Sequence, residues 1–543
     1  MSSLTGTWRL MRLALRRDRI KLPAWIIAIV AFLAANVPAV ISIYADSPAD
    51  RLTYAATSGA SVIGRLFNGP LGSPTTGEIV TNETFMFTAV LVAFMSTLAI
   101  VRHTRQNEET GRSELIGSAV VGRHASLVAS LLVVAAANIV LGLLVSLTLI
   151  SQQLSVSGSL GFGAALVGTG FFFMAVAAIT AQVSESARGA NSMAASAIGI
   201  AFVVRGIGDS IGQVVNNGTS VVSAWPSWLS PLGWGRLIYP YTDQRWWIFG
   251  LFAGACVLGI SIAFYLTAKR DVGLGIFPAR RGPARARQSL LNAFGLAWRL
   301  QRGILIGWGV GIVVFGLSIG LIVKEFADMF KDTPALQEYL NALGGTGAYE
   351  DVFFAGMLAF TGMAVSGYVV QTLQRLRTEE AAGRLEPILA TGVSRHRWVM
   401  SYVLCAFIGT IALLVALGLS TGVTYVLNSG VSWSNIPDLI AASLVMAPAI
   451  LVLGGFTVLA FGAMPRATIA VAWSAFGFCL LISQFGELLK LPQLLINTSP
   501  FTHTPTLPAE PMAWTPLVIL AGIAIALLLS GLACFRRRDI ANS

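Results

Sequence analysis

Arg105-Gln-Asn-Glu-Glu-Thr-Gly-Arg-Ser-Glu114 and Arg377-Thr-Glu-Glu-Ala-Ala-Gly-Arg-Leu-Glu386 carry one pattern, Arg-x-x-Glu-x-x-Gly-Arg-x-Glu, at an offset of 272 residues. The likeness continues to Arg123, His124 and Arg395, His396 at the same offset. Upstream, Leu13, Ala14, Arg16, Arg19 and Trp25 answer to Leu296, Ala297, Arg299, Arg302 and Trp308 at an offset of 283. Downstream, Arg188, Gly208 and Asp209 answer to Arg466, Gly486 and Glu487. Ser230-Pro231 then matches Ser499-Pro500, and Arg270-Asp271 matches Arg538-Asp539. Matches that keep their order while the offset drifts are what duplication followed by loop insertions and deletions leaves. The chain reads as two parallel halves.

What separates these charged stretches is apolar. Of 543 residues, 55% are hydrophobic and only 11% charged, against about 25% charged in soluble domains, and the mean hydropathy is +0.74. A span takes about 20 residues, and runs of that kind occur at 23–44, 85–101, 126–150, 160–181, 191–207 and 246–267. A second six follow at 304–323, 352–370, 399–427, 439–462, 467–485 and 514–535. The fold class expected is an all-α polytopic membrane protein with twelve transmembrane helices in two six-helix pseudo-repeats. Since six is even, both halves have one orientation, related by an axis along the membrane normal.

The chain then divides into an amphipathic segment at 1–22, a first half at 23–267, a linker with a second amphipathic helix at 268–303, a second half at 304–535 and a tail at 536–543. Pro278, Arg280, Arg281, Gly282 and Pro283 read as a flexible join. Arg9, Arg12, Arg16 and Arg19 recur at helical spacing, with Trp8, Met11 and Leu15 on another face, as in a helix lying on the inner leaflet. Phe294 to Arg302 is its weaker counterpart.

With the N-terminus inside, 28 of the 36 Lys and Arg residues fall inside, seven outside, and Arg205 within a span. That excess puts both termini in the cytoplasm. It also explains the formal charge of +11 without nucleic acid, since no basic domain gathers the charges. Cys256, Cys405, Cys479 and Cys534 lie in apolar runs and read as buried free thiols, with no metal site.

Proton- or sodium-coupled carriers usually keep carboxylates or histidines within their spans; here acidic residues stay near the ends. Arg205 is expected to snorkel outward and pair with Asp209, with a substrate role as the alternative. No G-x-x-x-x-G-K-[ST] stretch occurs, and none of the five lysines follows a glycine. Active transport by this chain therefore needs a separate motor. In the repeated motif a helix puts Arg105, Glu108 and Arg112 on one face, with Glu108 to Arg112 as an i,i+4 pair, and Arg377, Glu380 and Arg384 repeat this. Gly111 and Gly383 suit a turn between two short helices. Neither loop offers a nucleophile, so a docking surface is the expectation, not catalysis. Charge reversal at Glu108 or Glu380 is expected to abolish drug-stimulated ATP hydrolysis and leave the spans folded. The external segment Trp225, Pro226, Trp228, Pro231, Trp234, Tyr239, Pro240, Tyr241, Trp246, Trp247 has two readings, an interfacial belt around a broken helix and an outer gate.

Taken together, the paired motif, the Trp228-Leu-Ser-Pro-Leu-Gly-Trp234 segment with Arg245-Trp-Trp247, and the stretch from Ser499-Pro-Phe501 to the Arg536-Arg-Arg-Asp539 tail resemble the membrane subunits of type-2 ATP-binding-cassette exporters. The resemblance is to the duplicated actinobacterial group described as exporters of polyketide antibiotics, which includes tetronasin-type and mycobacterial multidrug efflux permeases. It covers essentially the whole chain. It implies extrusion of hydrophobic compounds, with ATP and Mg bound by two copies of a separate ATPase subunit. Arg105, Glu108, Gly111, Arg112 and Glu114, with Arg377, Glu380, Gly383, Arg384 and Glu386, would form coupling helices seated in those subunits. It also implies that the second and fifth spans of each half line a central cavity, through Phe85, Phe87, Thr88, Phe94, Ser96, Phe202, Phe360, Thr361, Tyr368, Trp473, Phe476 and Phe478. Two rivals remain open at this point: a gradient-driven twelve-span carrier, and a non-transporting membrane regulator coupled to an ATPase.

Overall fold

The structure, a computed structural model, describes residues 3–59, 61–271, 273–276, 284–331, 349–486 and 491–540. The expected join at Pro278 to Pro283 and the repeat partner Glu487 lie outside the described residues. The chain forms two compact units, 1–282 and 283–543, each nearly all helix.

In the first unit, α1 (Thr7–Arg17), α2 (Lys21–Tyr44), α3 (Pro48–Tyr54) and α4 (Val62–Asn68) precede the long α5 (Thr76–His103). Two short helices, α6 (Arg105–Glu109) and α7 (Arg112–Gly117), lead into α8 (Ala125–Ser151), α9 (Val156–Val183) and α10 (Ala187–Ser210). A two-stranded antiparallel hairpin, β1 (Gln213–Val215) with β2 (Ser220–Val222), pairs Val214 with Val221. Then come α11 (Pro231–Leu237) and α12 (Ile248–Lys269). The second unit has α13 (Ala293–Lys331), α14 (Tyr349–Leu373), short α15 (Arg375–Ala381) and α16 (Leu385–Ala390), and α17 (Arg395–Ser429). It ends with α18 (Asn435–Leu444), α19 (Ala447–Ala463), α20 (Thr468–Phe485), α21 (Gln493–Ile496) and α22 (Trp514–Arg537).

Eleven helices are long and apolar enough to cross a membrane among the described residues, which makes this a multi-pass α-helical membrane protein. The expected eleventh span, 467–485, forms a shorter apolar helix; Pro465 before it and Gly486 after it confine its length. In the first unit, α5 and α9 are the most buried pair, packed on each other and flanked by α2, α8, α10 and α12. The matching pair in the second unit is α14 and α19. There α19 also crosses α22 so closely that a Cβ on Gly462 would meet the Gly531 carbonyl oxygen at 2.3 Å. Only glycine allows that backbone approach.

Three details depart from expectation. Helix α1 stops at Arg17, and Asp18, Arg19 and Ile20 separate it from α2, so Arg19 leaves the basic face. Its counterpart is no separate element: Phe294 to Arg302 runs unbroken into the span as the 39-residue α13. The expected tenth span breaks at Val445 and Met446. Pro448, lacking an N–H, withholds the bond to the Leu444 carbonyl.

Arg205 does not snorkel. It is fully buried, its Nη1 3.1 Å from Asp209 Oδ2, and its guanidinium donates to the carbonyls of Arg65, Leu66 and Phe67 at 3.3, 2.6 and 3.1 Å. The sequence hid this role because the acceptors are backbone carbonyls at the end of α4, which an arginine caps well. Ser223 and Ser227 donate to Asp209 Oδ1, each at 2.6 Å. The repeated Ser-Pro also acquires a reason: Ser230 Oγ donates to Ala201 O at 2.7 Å and Ser499 Oγ to Cys479 O at 3.4 Å, fastening the post-span segment of each half to its fifth span. The aromatic segment is a broken helix, with Trp228 and Trp247 stacked at 5.6 Å and the indoles of Trp225, Trp246 and Trp247 exposed.

Candidate functional site

Each unit ends, on its basic side, in the same joint. In the first, α5 stops at His103, α6 makes just over one turn, and Gly111 at φ 72° turns the chain into α7. Glu108 sits between two guanidiniums. Arg105 Nη1 donates to Glu108 Oε2 at 2.8 Å, and Arg270 donates to both carboxylate oxygens, Nη2 to Oε1 at 2.6 Å and Nη1 to Oε2 at 2.8 Å. The arginines reach onward: Arg105 Nε donates to Ala181 O at 3.0 Å and Nη2 to Leu274 O at 2.9 Å, while Arg270 Nε donates to Gln182 Oε1 at 2.6 Å. One carboxylate thus ties α6 to the ends of α9 and α12.

The second unit repeats the clamp residue for residue. Arg377 Nη1 donates to Glu380 Oε2 at 3.3 Å, and Arg538 grips Glu380 with Nη1 on Oε1 at 2.6 Å and Nη2 on Oε2 at 3.0 Å. Gly383, at φ 68°, again makes the turn. Beside the joint of its own unit, Arg123 donates to the carbonyls of Thr267, Ala268 and Arg270, and Arg395 in the second unit donates to those of Phe535, Arg536 and Arg538. Each caps the last turn of its sixth span with the cation that a helix C-terminus favours.

This corrects the expected faces. The glycine break takes Arg112 and Arg384 off the helix that carries Arg105 and Arg377, so Glu108 pairs at i,i+3 and not with Arg112. Arg105 and Glu380 are fully buried and Arg377 nearly so; these residues build the joint and do not form a free surface. What the joint presents is the following helix: Arg112, Glu114 and Leu115 in α7 are exposed, with Leu115 at 77%, as are Arg384, Glu386 and Pro387 around α16. Charge reversal at Glu108 or Glu380 would therefore unseat the joint as well as anything docked on it.

The sequence missed one fastening. Asp18, after α1, accepts from Arg102 Nη2 and lies against His103 Nε2, each at 2.6 Å, and Arg17 Nη1 donates to Asn107 Oδ1 at 2.6 Å. Burial alone would push the Asp18 carboxyl up, but the bond and charge of His103, with those of Arg102, hold it below the usual carboxylate range. The α1 helix is thereby bound to the α5–α6 corner. Repeat matching could not find this, since residue 301 in the other half is Gln.

The proposed cavity residues separate into groups. Phe87, Phe94 and Phe202 line a cavity of about 460 Å³ between α5 and α10. Phe360 and Thr361 line another of about 330 Å³, with Trp308 and Phe315 of α13. Phe85, Thr88, Ser96 and Tyr368 are instead buried in helix packing. Phe85 stands edge-on to Phe162, Thr88 bonds back to Thr84 O, Ser96 bonds Asn138, and Tyr368 donates to Cys405 O. Trp473 packs edge-on to Phe476 and donates to Gln374 Oε1 at 3.1 Å, and Phe478 is exposed.

A duplicated polytopic helical protein, carrying at each basic end a buried ionic joint under an exposed short helix, has the build of a membrane permease. Residues 290–536 match the family described as multidrug efflux system permease Rv1217c, C-terminal domain. The chain is 38% identical, over 541 residues, to the multidrug efflux system permease protein Rv1217c of Mycobacterium tuberculosis (strain ATCC 25618 / H37Rv), covering 99% of this chain and 96% of that one. It belongs to that family of mycobacterial multidrug efflux permeases.

Proposed function

We propose that this chain is the membrane permease of an ATP-driven multidrug exporter, a transport subunit whose hydrolysis is done elsewhere. The observation that carries the reading is the duplicated joint. Two equivalent short helices, each presented by a buried Arg-Glu-Arg clamp, suit two equivalent partners, and the clamp makes each a lever: force on α7 or α16 passes through Glu108 or Glu380 into the ends of α9 and α12, or of α22. The partners are two copies of an ATP-binding-cassette subunit, which bind ATP and Mg. The joints, and both termini, then face the cytoplasm of the plasma membrane. The cargo is hydrophobic small molecules, drugs and antibiotics, held against apolar and aromatic spans.

Purification of the full chain from native membranes, followed by vesicle assays, tests this. The expected result is a stoichiometric ATPase partner and dye extrusion that needs ATP. Extrusion driven by an ion gradient without the partner would establish the secondary carrier instead. A partner ATPase with no extrusion of any dye would establish the regulator.

A further inference from the structure

Along α5, Glu83, Phe87, Val90 and Phe94 recur at steps of four, three and four, one helical stripe. It faces a second stripe on α10 that includes Ile198 and Phe202, and Phe67 from the end of α4 closes the same cavity. The walls are apolar and aromatic apart from Glu83 and Asn68. The Glu83 carboxylate is half-buried, with Oε1 2.5 Å from the Tyr54 hydroxyl and 3.3 Å from Asn68 Nδ2. Both neighbours are neutral, and no ion pair holds Glu83 among the described residues. Behind Phe202, Arg205 lies 4.8 Å from the ring centroid, and its charge is already matched by Asp209 and by three carbonyls.

We propose that this cavity binds lipophilic cations, with Glu83 as their counter-ion and the faces of Phe87, Phe94 and Phe202 around their apolar groups. A carboxylate left without a counter-charge in an apolar wall is costly to the fold and attractive to a cation. Aromatic faces add to that preference. The fold itself does not require the charge: at the offset of the neighbouring repeat, the position equivalent to Glu83 is Ala355, a buried alanine in the same helix of the other half. The site is therefore one-sided, and it selects by charge as well as by apolarity. It deepens the exporter reading and rests on it for purpose, yet binding is measured without ATP or partner.

The experiment uses the full chain in detergent micelles and flow dialysis with tritiated tetraphenylphosphonium, set against tetraphenylborate, which has the same shape and the opposite charge. The wild-type chain is expected to prefer the cation. Glu83→Gln keeps the size and the Tyr54 contact, and is expected to weaken cation binding by at least about tenfold while leaving the anion unchanged or tighter. Gly199→Leu, where an added Cβ meets nothing within 4 Å, fills the cavity and is expected to block the cation. Equal cation affinity in wild type and Glu83→Gln, or unimpaired binding in Gly199→Leu, overturns the proposal. Preserved cation selectivity in a chain that exports nothing would sink the exporter reading and leave this site standing.

Discussion

Replacing Arg538 by Gln isolates the clamp from the surface above it. The substitution removes both contacts to Glu380, at 2.6 and 3.0 Å, together with the guanidinium packed 5.0 Å from the ring centroids of Phe461 and Phe535. Glu380 is fully buried and keeps Arg377, its salt-bridge partner at 3.3 Å. Removing one partner from a buried pair costs about 3 to 5 kcal/mol; since Arg377 still compensates, the lower figure applies. About 3 kcal/mol corresponds to roughly a hundredfold rise in the open fraction of the α15–α16 joint. Amide hydrogen exchange reads that fraction directly in residues 375–390. In R538Q those amides should exchange about a hundredfold faster, while α17 and α19 keep their protection. Unchanged exchange would refute the claim that the joint hangs on this carboxylate.

Arg205→Ala should destabilise the opposite end of the first unit by about 3 to 5 kcal/mol, by stranding Asp209 and three carbonyls. Thermal unfolding in lipid nanodiscs checks it; a change below about 0.5 kcal/mol would mean that other groups satisfy the carbonyls. At Asp18 the folded carboxyl titrates below its unfolded value of about 3.9, so its contribution is complete above that pH and lost as pH falls through the folded value. Exchange protection of α1 should hold from neutral pH to about 4 and fall below it, whereas Asp18→Asn should be loosened throughout; a flat wild-type profile contradicts this. Leu115→Asp changes an exposed side chain, so stability should move by less than about 0.5 kcal/mol while drug-stimulated ATP hydrolysis falls. Full stimulation would argue against docking on α7.

The spans were legible because a bilayer demands about 20 apolar residues in succession, a signal carried by local composition alone. The repeat exposed Arg123 with Arg395 and Arg270 with Arg538, but not what they do. Their partners lie 140 or more residues away in sequence, and most acceptors are backbone carbonyls that no motif spells. The Gly111 and Gly383 turns were anticipated, yet their consequence was not: a left-handed glycine after α6 and α15 divides each motif into a buried half and an exposed half. Glu83 escaped because the apolar run begins only at Phe85; α5 starts at Thr76, which brings a carboxylate two residues before that run onto the cavity wall. Arg205 pairs with Asp209 as expected, but its full burial, like that of Phe85 and Tyr368, was not legible, because a residue's place along a span does not say which neighbour covers its side chain.

The central claim is that two equivalent joints each seat one ATP-hydrolysing subunit. Photo-crosslinking residues placed singly at positions 114 and 386, in the complex isolated from native membranes, measure this most directly. The account predicts that each position captures the same ATPase polypeptide, and that a chain carrying both captures two copies. Capture at neither position, with the ATPase still bound to the chain, would contradict it.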